Sequence, residues 1–375
     1  MCPSGAADWR GLPTAFPGNS GRIARLVGDF GQCQQQTTHK WQPWGADRRI
    51  RRKLAGTVAG RHSSVPGVDR VALAKIAMTT PEQYRVHGRA ASTEGQWQSD
   101  GPLREFLLRK FIRYQGYLPN LATPTTFNEK LLHRMLFDRR RILTTFADKL
   151  AVRDYVAHRL ASTQNLTAIY GVFSRADDLY GFDFPSRFAL KANHGSGWNY
   201  IHHGGQFNRM RLVQLARRWL NSNYGGISGE WCYNDIQPKV FCEEYLGNGY
   251  SLPVDYKLSC FSGMARFFVV SFDRQSGRKV NFYDRDWKVL DIRYRENPRK
   301  FYTPPPPNLA QMISIAERLS EGIDFVRVDL YDMGDRVVFG EMTTNPGGLT
   351  NRYDPQQWDA TFGSYWRLPA DGTTQ

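Results

Sequence analysis

The chain has 375 residues and a formal net charge of +15. It holds no run approaching the ~20 apolar residues of a membrane span and no apolar signal core, which points to the cytoplasm. Its five cysteines, Cys2, Cys33, Cys232, Cys242 and Cys260, form no CxxC pair, which argues against a disulfide frame or a zinc site and for a reducing compartment.

The charge is unevenly spread. Residues 1–77 carry 12 Lys and Arg against 4 Asp, so +8 of the +15 lies in a fifth of the chain. That stretch has Gly, Pro and Gln clusters, the basic run Arg48-Arg-Ile-Arg-Arg-Lys53 and no sustained amphipathic period. It reads as a disordered tail, or as sequence upstream of a start at Met78, ahead of an Arg-rich targeting segment. The remaining +7 suits polyanionic ligands such as nucleotides or acidic glycans without demanding nucleic acid.

Apolar residues recur at helical spacing from Leu103 to Tyr114, and Gly116 supplies a stop. Thr126-Phe-Asn-Glu129 reads as a capping box. A second box, Thr145-Phe-Ala-Asp148, is expected to open a helix to about Leu160, with Lys149 and Arg153 on one face. Strands are expected at 166–173, 188–193, 198–202, 239–246, 254–261 and 264–272, the last two joined by Ser262-Gly263. A helix is expected at 210–220, and another from an Asn308 cap to about Ser320 after the stiff run Pro304–Pro307. Asp354-Pro355 is expected to start a closing helix with Pro in the first position. These elements give an α+β fold, most simply two lobes closing on a cleft.

The acid-bearing hairpin is the most informative segment. Phe325-Val-Arg-Val-Asp-Leu-Tyr331 and Arg336-Val-Val-Phe-Gly-Glu-Met-Thr-Thr-Asn-Pro-Gly-Gly348 flank a turn. Alternation puts Arg327 with Asp329 on one strand face and Glu341 with Thr343 on one face of the partner. If the faces coincide, two carboxylates can hold one Mg²⁺, leaving its other positions to water and phosphate. Upstream, alternation in Phe188-Ala-Leu-Lys-Ala buries Phe188 and Leu190 and leaves Lys191 opposite. It runs into His194-Gly-Ser-Gly197, whose backbone N–H groups can approach phosphate; taken alone, this is equally a Gly-rich turn beside an exposed lysine. His133, His202 and His203 show no metal spacing and read as core or surface residues.

In order, R-V-D and G-E-x-T-x-N-P-G join Phe127-Asn-Glu-Lys130, Ala147–Val156, Phe188–Trp198, Glu243-Glu-Tyr-Leu246 and Asp255-Tyr-Lys257. This set resembles the ATP-grasp superfamily, and within it the TupA-like branch associated with teichuronopeptide and surface-polysaccharide biosynthesis, over residues 100–368. The resemblance implies an ATP-grasp fold with a helical segment at 100–165, a first lobe at 166–240 and a second at 241–368. It implies ATP and Mg²⁺ as cofactors. Lys149 and Lys191 would meet the nucleotide phosphates under a lid of His194, Gly195, Ser196 and Gly197. Glu243 would meet the adenine amine, with Glu244 beside it and Leu246 offering backbone contacts, and Asp255 would meet the ribose. Lys257 would touch phosphate or substrate, and Arg327 the charge on an acylphosphate. Asp329, Glu341 and Thr343 would hold metal. Thr343 stands where the superfamily commonly has Asn, which bears on whether a second ion binds. The implied activity is ligation of a carboxylate to an amine on an acidic sugar, amino-acid or glycan precursor, with peripheral membrane association if that precursor is lipid-linked. A glycosyltransferase of the same pathway and a basic polyanion-binding protein are the alternatives.

Overall fold

The computed structural model describes residues 101–247, 252–272, 279–294 and 303–369. The basic stretch 1–77, the start considered at Met78 and most of the variable-length loop 247–253 lie outside the described residues.

Helix α1 (Gly101–Gln115) stops where expected, with Gly116 at φ +82°. Helix α2 (Phe127–Phe137) opens on the expected capping box, Thr126 and Glu129 satisfying each other's backbone N–H. Helix α3 (Arg141–Ala147) and α4 (Ala151–Leu160) overturn the second box. Thr145 lies inside α3, and the Asp148 N–H closes that helix on the Thr144 carbonyl at 3.0 Å. The Asp148 carboxylate then accepts from the Leu150 N–H at 2.9 Å, the local side-chain turn that interrupts helix in favour of a bend. Lys149 therefore stands in the turn, not on a helical face with Arg153.

The first sheet contains β1 (Ile169–Phe173), β2 (Phe188–Ala192), β3 (Asn199–His202) and, after α5 (Arg209–Leu220) and α6 (Tyr224–Ser228), β4 (Val240–Glu243). Its order is β1-β4-β2-β3, so the expected boundary at 240 falls within a central strand. Phe188, Leu190 and Ala192 pack with Leu212, Val213 and Ala216 of α5, which fixes Lys191 on the opposite face.

The second sheet follows: β5 (Asp255–Phe261), β6 (Met264–Phe272), β7 (Lys279–Asp284) and β8 (Val289–Leu290). After β9 (Arg293–Tyr294) and α7 (Leu309–Ser320) it is completed by β10 (Phe325–Asp332) and β11 (Val337–Thr343), in the order β11-β10-β5-β6-β7-β8. β12 (Tyr353–Asp354) pairs with β9, and α8 (Gln357–Tyr365) closes the described chain. One face of the sheet, with Tyr256, Leu258, Val326, Val328 and Leu330, packs on α4 and α7. The other is aromatic at one end, where Phe261, Phe267, Phe282 and Phe325 meet α1, α2 and α8. Its other end carries Asp255, Lys257, Arg327 and Asp329, which form ion pairs with one another.

Three smaller expectations change. Asn308 precedes α7 but makes no capping bond; its amide reaches Asp332 Oδ1 at 2.8 Å and ties the helix to the β10–β11 turn. Pro355 precedes a helix that begins at Gln357 and is not its first residue. Strands β7, β8, β9 and β12 were not expected, because Arg, Lys and Asp interrupt their apolar alternation. Among the described residues no helix is long and apolar enough to cross a membrane.

Candidate functional site

The hairpin register does make the faces coincide. Arg327 pairs with Thr343 and Asp329 with Glu341 across β10 and β11. A bulge makes this possible: Leu330 pairs with Phe339, so Gly340 is passed over. Val337 and Phe339 enter the core before the bulge and Met342 after it, which shifts Glu341 and Thr343 onto the cleft face. A Cβ at Gly340 would press on the Tyr331 ring at 3.0 Å and the Asp329 carbonyl at 3.1 Å.

Arg327 knits the four side chains together. Nε donates to Asp329 Oδ1 at 2.6 Å, and Nη2 donates to Asp329 Oδ2, Glu341 Oε1 and Thr343 Oγ1 at 2.7, 2.9 and 2.9 Å. Lys257 Nζ lies 2.5 Å from both Asp329 Oδ2 and Asp255 Oδ2. Burial disfavours charge on Glu341, but Arg327, Lys257 and Lys149 outweigh it and hold the carboxyl well below its ordinary range. Burial pushes Asp329 up, with Glu341 and Asp255 adding to it and Arg327 and Lys257 opposing. Asp255, expected at the ribose, is 3% exposed with its carboxylate on Lys257, which suits it to hold that lysine.

The first sheet supplies the facing cations. Lys191 pairs with Glu243 Oε1, and Glu243 Oε2 accepts from Thr167 Oγ1 at 2.8 Å. Burial disfavours the Lys191 charge, and Glu243, with Tyr331 and Glu341 adding, more than restores it. Glu243, expected at the adenine amine, is thus buried and engaged through both oxygens. Leu246, expected to offer backbone contacts, is half-buried. Glu244 turns away, 2.5 Å from Arg336.

Lys149 donates to the Gly195 carbonyl, and its N–H donates to the Asn193 carbonyl at 3.1 Å. Burial lowers its pKa, Glu341 opposing and Lys191 adding. The His194 ring is held between Asn193 Oδ1 and the Trp219 carbonyl, both at 3.0 Å, so both ring nitrogens are engaged within the protein. Gly195 is required there, since a Cβ would lie 2.5 Å from the Trp198 ring. Ser196 and Gly197 are exposed, Gly197 with φ +73°.

The donor set fits Mg²⁺. Among the described residues no group of three or more His, Cys, Asp and Glu could hold a metal, so an ion would rest on Asp329 and Glu341 alone among acids, with Thr343 at the edge. Two carboxylates with the remaining positions left to water and phosphate is the usual Mg²⁺ arrangement.

The TupA-like ATP-grasp family model matches residues 129–367, which contain every one of these side chains. The chain belongs to the TupA-like ATP-grasp family. Its α+β architecture of two antiparallel sheets with packed helices is the ATP-grasp fold. Curated proteins gave no match. Among solved structures it is similar to the D-alanine–D-alanine ligase of Helicobacter pylori at 14% identity, covering 60% of this chain and 62% of that one, with a TM-score of 0.35. The Bacillus anthracis D-alanine–D-alanine ligase complexed with ATP matches at 12% identity over 55% and 56%, TM-score 0.33. The ATP-grasp ligase PsnB complexed with minimal precursor matches at 9% over 58% and 60%, TM-score 0.31. The chain spans between 56% and 62% of the length of these ligases, and at such scores nothing about activity follows from the likeness.

Sequence reasoning passed over several residues that complete the ATP-grasp cleft. Thr167 backs Glu243 and accepts from Arg153 Nη1 at 3.0 Å, so Arg153, expected only on a helical face with Lys149, serves this cluster. A cavity beside Arg327 and Lys257 is lined by Ser259, Phe267, Val269 and Phe282. Asn351 and Pro346 close it from the loop after β11. Period-2 patterning marks these as one strand face but not as a cavity wall, because the covering loop is remote in sequence.

Proposed function

We propose that this TupA-like ATP-grasp chain is a cytoplasmic, ATP-dependent carboxylate–amine ligase acting on an acidic sugar, amino-acid or glycan precursor of the cell surface. The observation that carries this reading is the direct opposition of Asp329 and Glu341, with Arg327 on both, in a cleft also facing Lys149 and Lys191. ATP would lie between the sheets, its phosphates against Lys149, Lys191 and the backbone of 194–197. Mg²⁺ held by Asp329 and Glu341 would neutralise charge on the transferring phosphoryl group.

Phosphoryl transfer leaves the protein little covalent work, so positioning and positive charge dominate. Arg327 and Lys257 line the cavity and would orient the substrate carboxylate toward the γ-phosphate, stabilising the acylphosphate that forms. An amine then attacks its carbonyl, giving an amide and phosphate. A lipid-linked precursor would bring the enzyme to a membrane surface through its substrate. The test is ADP release by the full chain across paired acids and amines. Release that requires one acid and one amine together, with an amide product, is expected; consumption of a nucleotide sugar without ATP would replace this reading with a glycosyltransferase.

A further inference from the structure

The cavity beside Arg327 and Lys257 has a graded floor, and strand pairing lays it out as two rows across the second sheet. Arg327 of β10 pairs with Ser259 of β5, and Ser259 with Phe267 of β6. In the next row Asp329 pairs with Lys257, Lys257 with Val269, and Val269 with Phe282 of β7. Each row runs from charge to carbon. The side chains of Lys257 and Arg327 are 11% and 14% exposed, whereas Phe267 and Phe282 are 3% and 2% exposed. The cations therefore mark the mouth and the phenyl rings the deep end.

The roof is tied to two helices. Asn351 Nδ2 donates to the Pro346 carbonyl at 3.2 Å, and the Asn351 carbonyl accepts from Gln115 Nε2 of α1 and Asn128 Nδ2 of α2, both at 3.1 Å. Gly347 lies next to Pro346 at φ +73°, where a Cβ would come within 2.2 Å of the Asn351 side chain. At the deep end the Tyr353 ring stands 6.2 Å from Phe282 and 6.4 Å from Phe127, between centroids. The enclosed space measures about 40 Å³, room for about three water-sized groups. Phe127, Phe267, Val269 and Phe282 offer water no hydrogen-bond partner there. On the floor beside Arg327, the Ser259 hydroxyl is buried and bonds no described residue.

We propose that this cavity receives the carbon body of the carboxylate substrate and so restricts it to a short aliphatic acid with about three carbons behind the carboxylate, an inference that rests on the ligase reading. The carboxylate lies against Arg327, Lys257 and the Ser259 hydroxyl, beside Asp329 and hence beside the metal. The body points away from Asp329, toward Phe267 and Phe282. A sugar acid is refused, because its hydroxyls would face phenyl rings without a partner. Val269 and Phe282 set the length, since a longer tail meets the Phe282 and Tyr353 rings.

Calorimetric titration of the full chain with Mg²⁺ and a non-hydrolysable ATP analogue reads this without turnover. Butyrate should bind at least about 10-fold more tightly than acetate, octanoate or glucuronate, the gap to acetate coming from two further buried methylenes. Equal affinities, or glucuronate ahead of butyrate, would overturn the assignment. Phe282→Leu widens the deep end and should move the preference toward hexanoate, whereas Val269→Leu narrows it and should move the preference toward acetate. Folded variants that lose every acid alike would mean that these walls only hold the sheet, which would also overturn it; if either variant fails to fold, the wild-type series decides. ADP release separates this inference from the ligase reading. Acids that bind in the expected order but release no ADP with any amine would remove the ligase reading while the cavity keeps its ligand class. Amide formation on a sugar acid would keep the ligase and remove the cavity assignment.

Discussion

Asp329 and Glu341 are direct partners across β10 and β11, and Arg327 Nη2 touches both, at 2.7 and 2.9 Å. Replacing either acid by its amide keeps the shape and removes the charge that would hold Mg²⁺. Asp329→Asn and Glu341→Gln should each lower ADP release by at least about 100-fold, a tenfold loss for every ~1.4 kcal/mol of transition-state stabilisation removed. Their circular dichroism should match wild type. Near-normal Mg²⁺ dependence in a folded double variant would remove the metal assignment.

Lys191 reaches across to Glu243 on the neighbouring strand, facing the cleft. Losing one charge-assisted contact to phosphate costs about 1.5–3 kcal/mol, so Lys191→Met should weaken ATP roughly 10- to 100-fold. Adenosine affinity should change little. Calorimetric titration of both ligands checks this, and equal weakening would place the lysine elsewhere than at the phosphates.

Arg134 is 1% exposed and serves Asp324, the Phe325 carbonyl and the Thr344 carbonyl, with its guanidinium 4.4 Å from the Trp366 ring centroid. Removing one partner of such a buried group costs about 3–5 kcal/mol. Arg134→Met should show a loss of that order in urea unfolding. Asp177→Asn, which breaks an ion pair about half exposed on both sides, should cost within about 1 kcal/mol.

Asp359 is buried under α2 and accepts from the Asn128 N–H and side-chain amide, both at 3.0 Å. Burial pushes its carboxyl up to about 6, against those hydrogen bonds. The folded state thus binds a proton more readily than the unfolded chain, so Asp359 weakens stability as pH rises from about 4 to 6. Asp359→Asn should flatten that part of the melting temperature profile. An unchanged slope would assign it to another group.

Much of this was legible beforehand because short-range rules governed it. The Thr126–Glu129 box, the Gly116 stop and the faces of β2 and β10 follow from local spacing, and all are found. What local spacing could not show depended on competition or distance. Asp148 prefers its own turn to a helix cap, Glu243 answers a lysine on another strand, and Asp255 answers Lys257 on its own.

The bulge at Gly340 has a further consequence. Glu341 follows Phe339 by two positions, and in an unbroken strand it would point with Phe339 into the core. Were Gly340 to take a ladder position of its own instead of being passed over, R-V-D and E-x-T would stay intact in the text of the chain while the glutamate turned away from its aspartate partner. A motif search would not tell the two registers apart. In this hairpin the presence of the ligands and their delivery to the cleft are separate properties, and the second is encoded by a residue with no side chain.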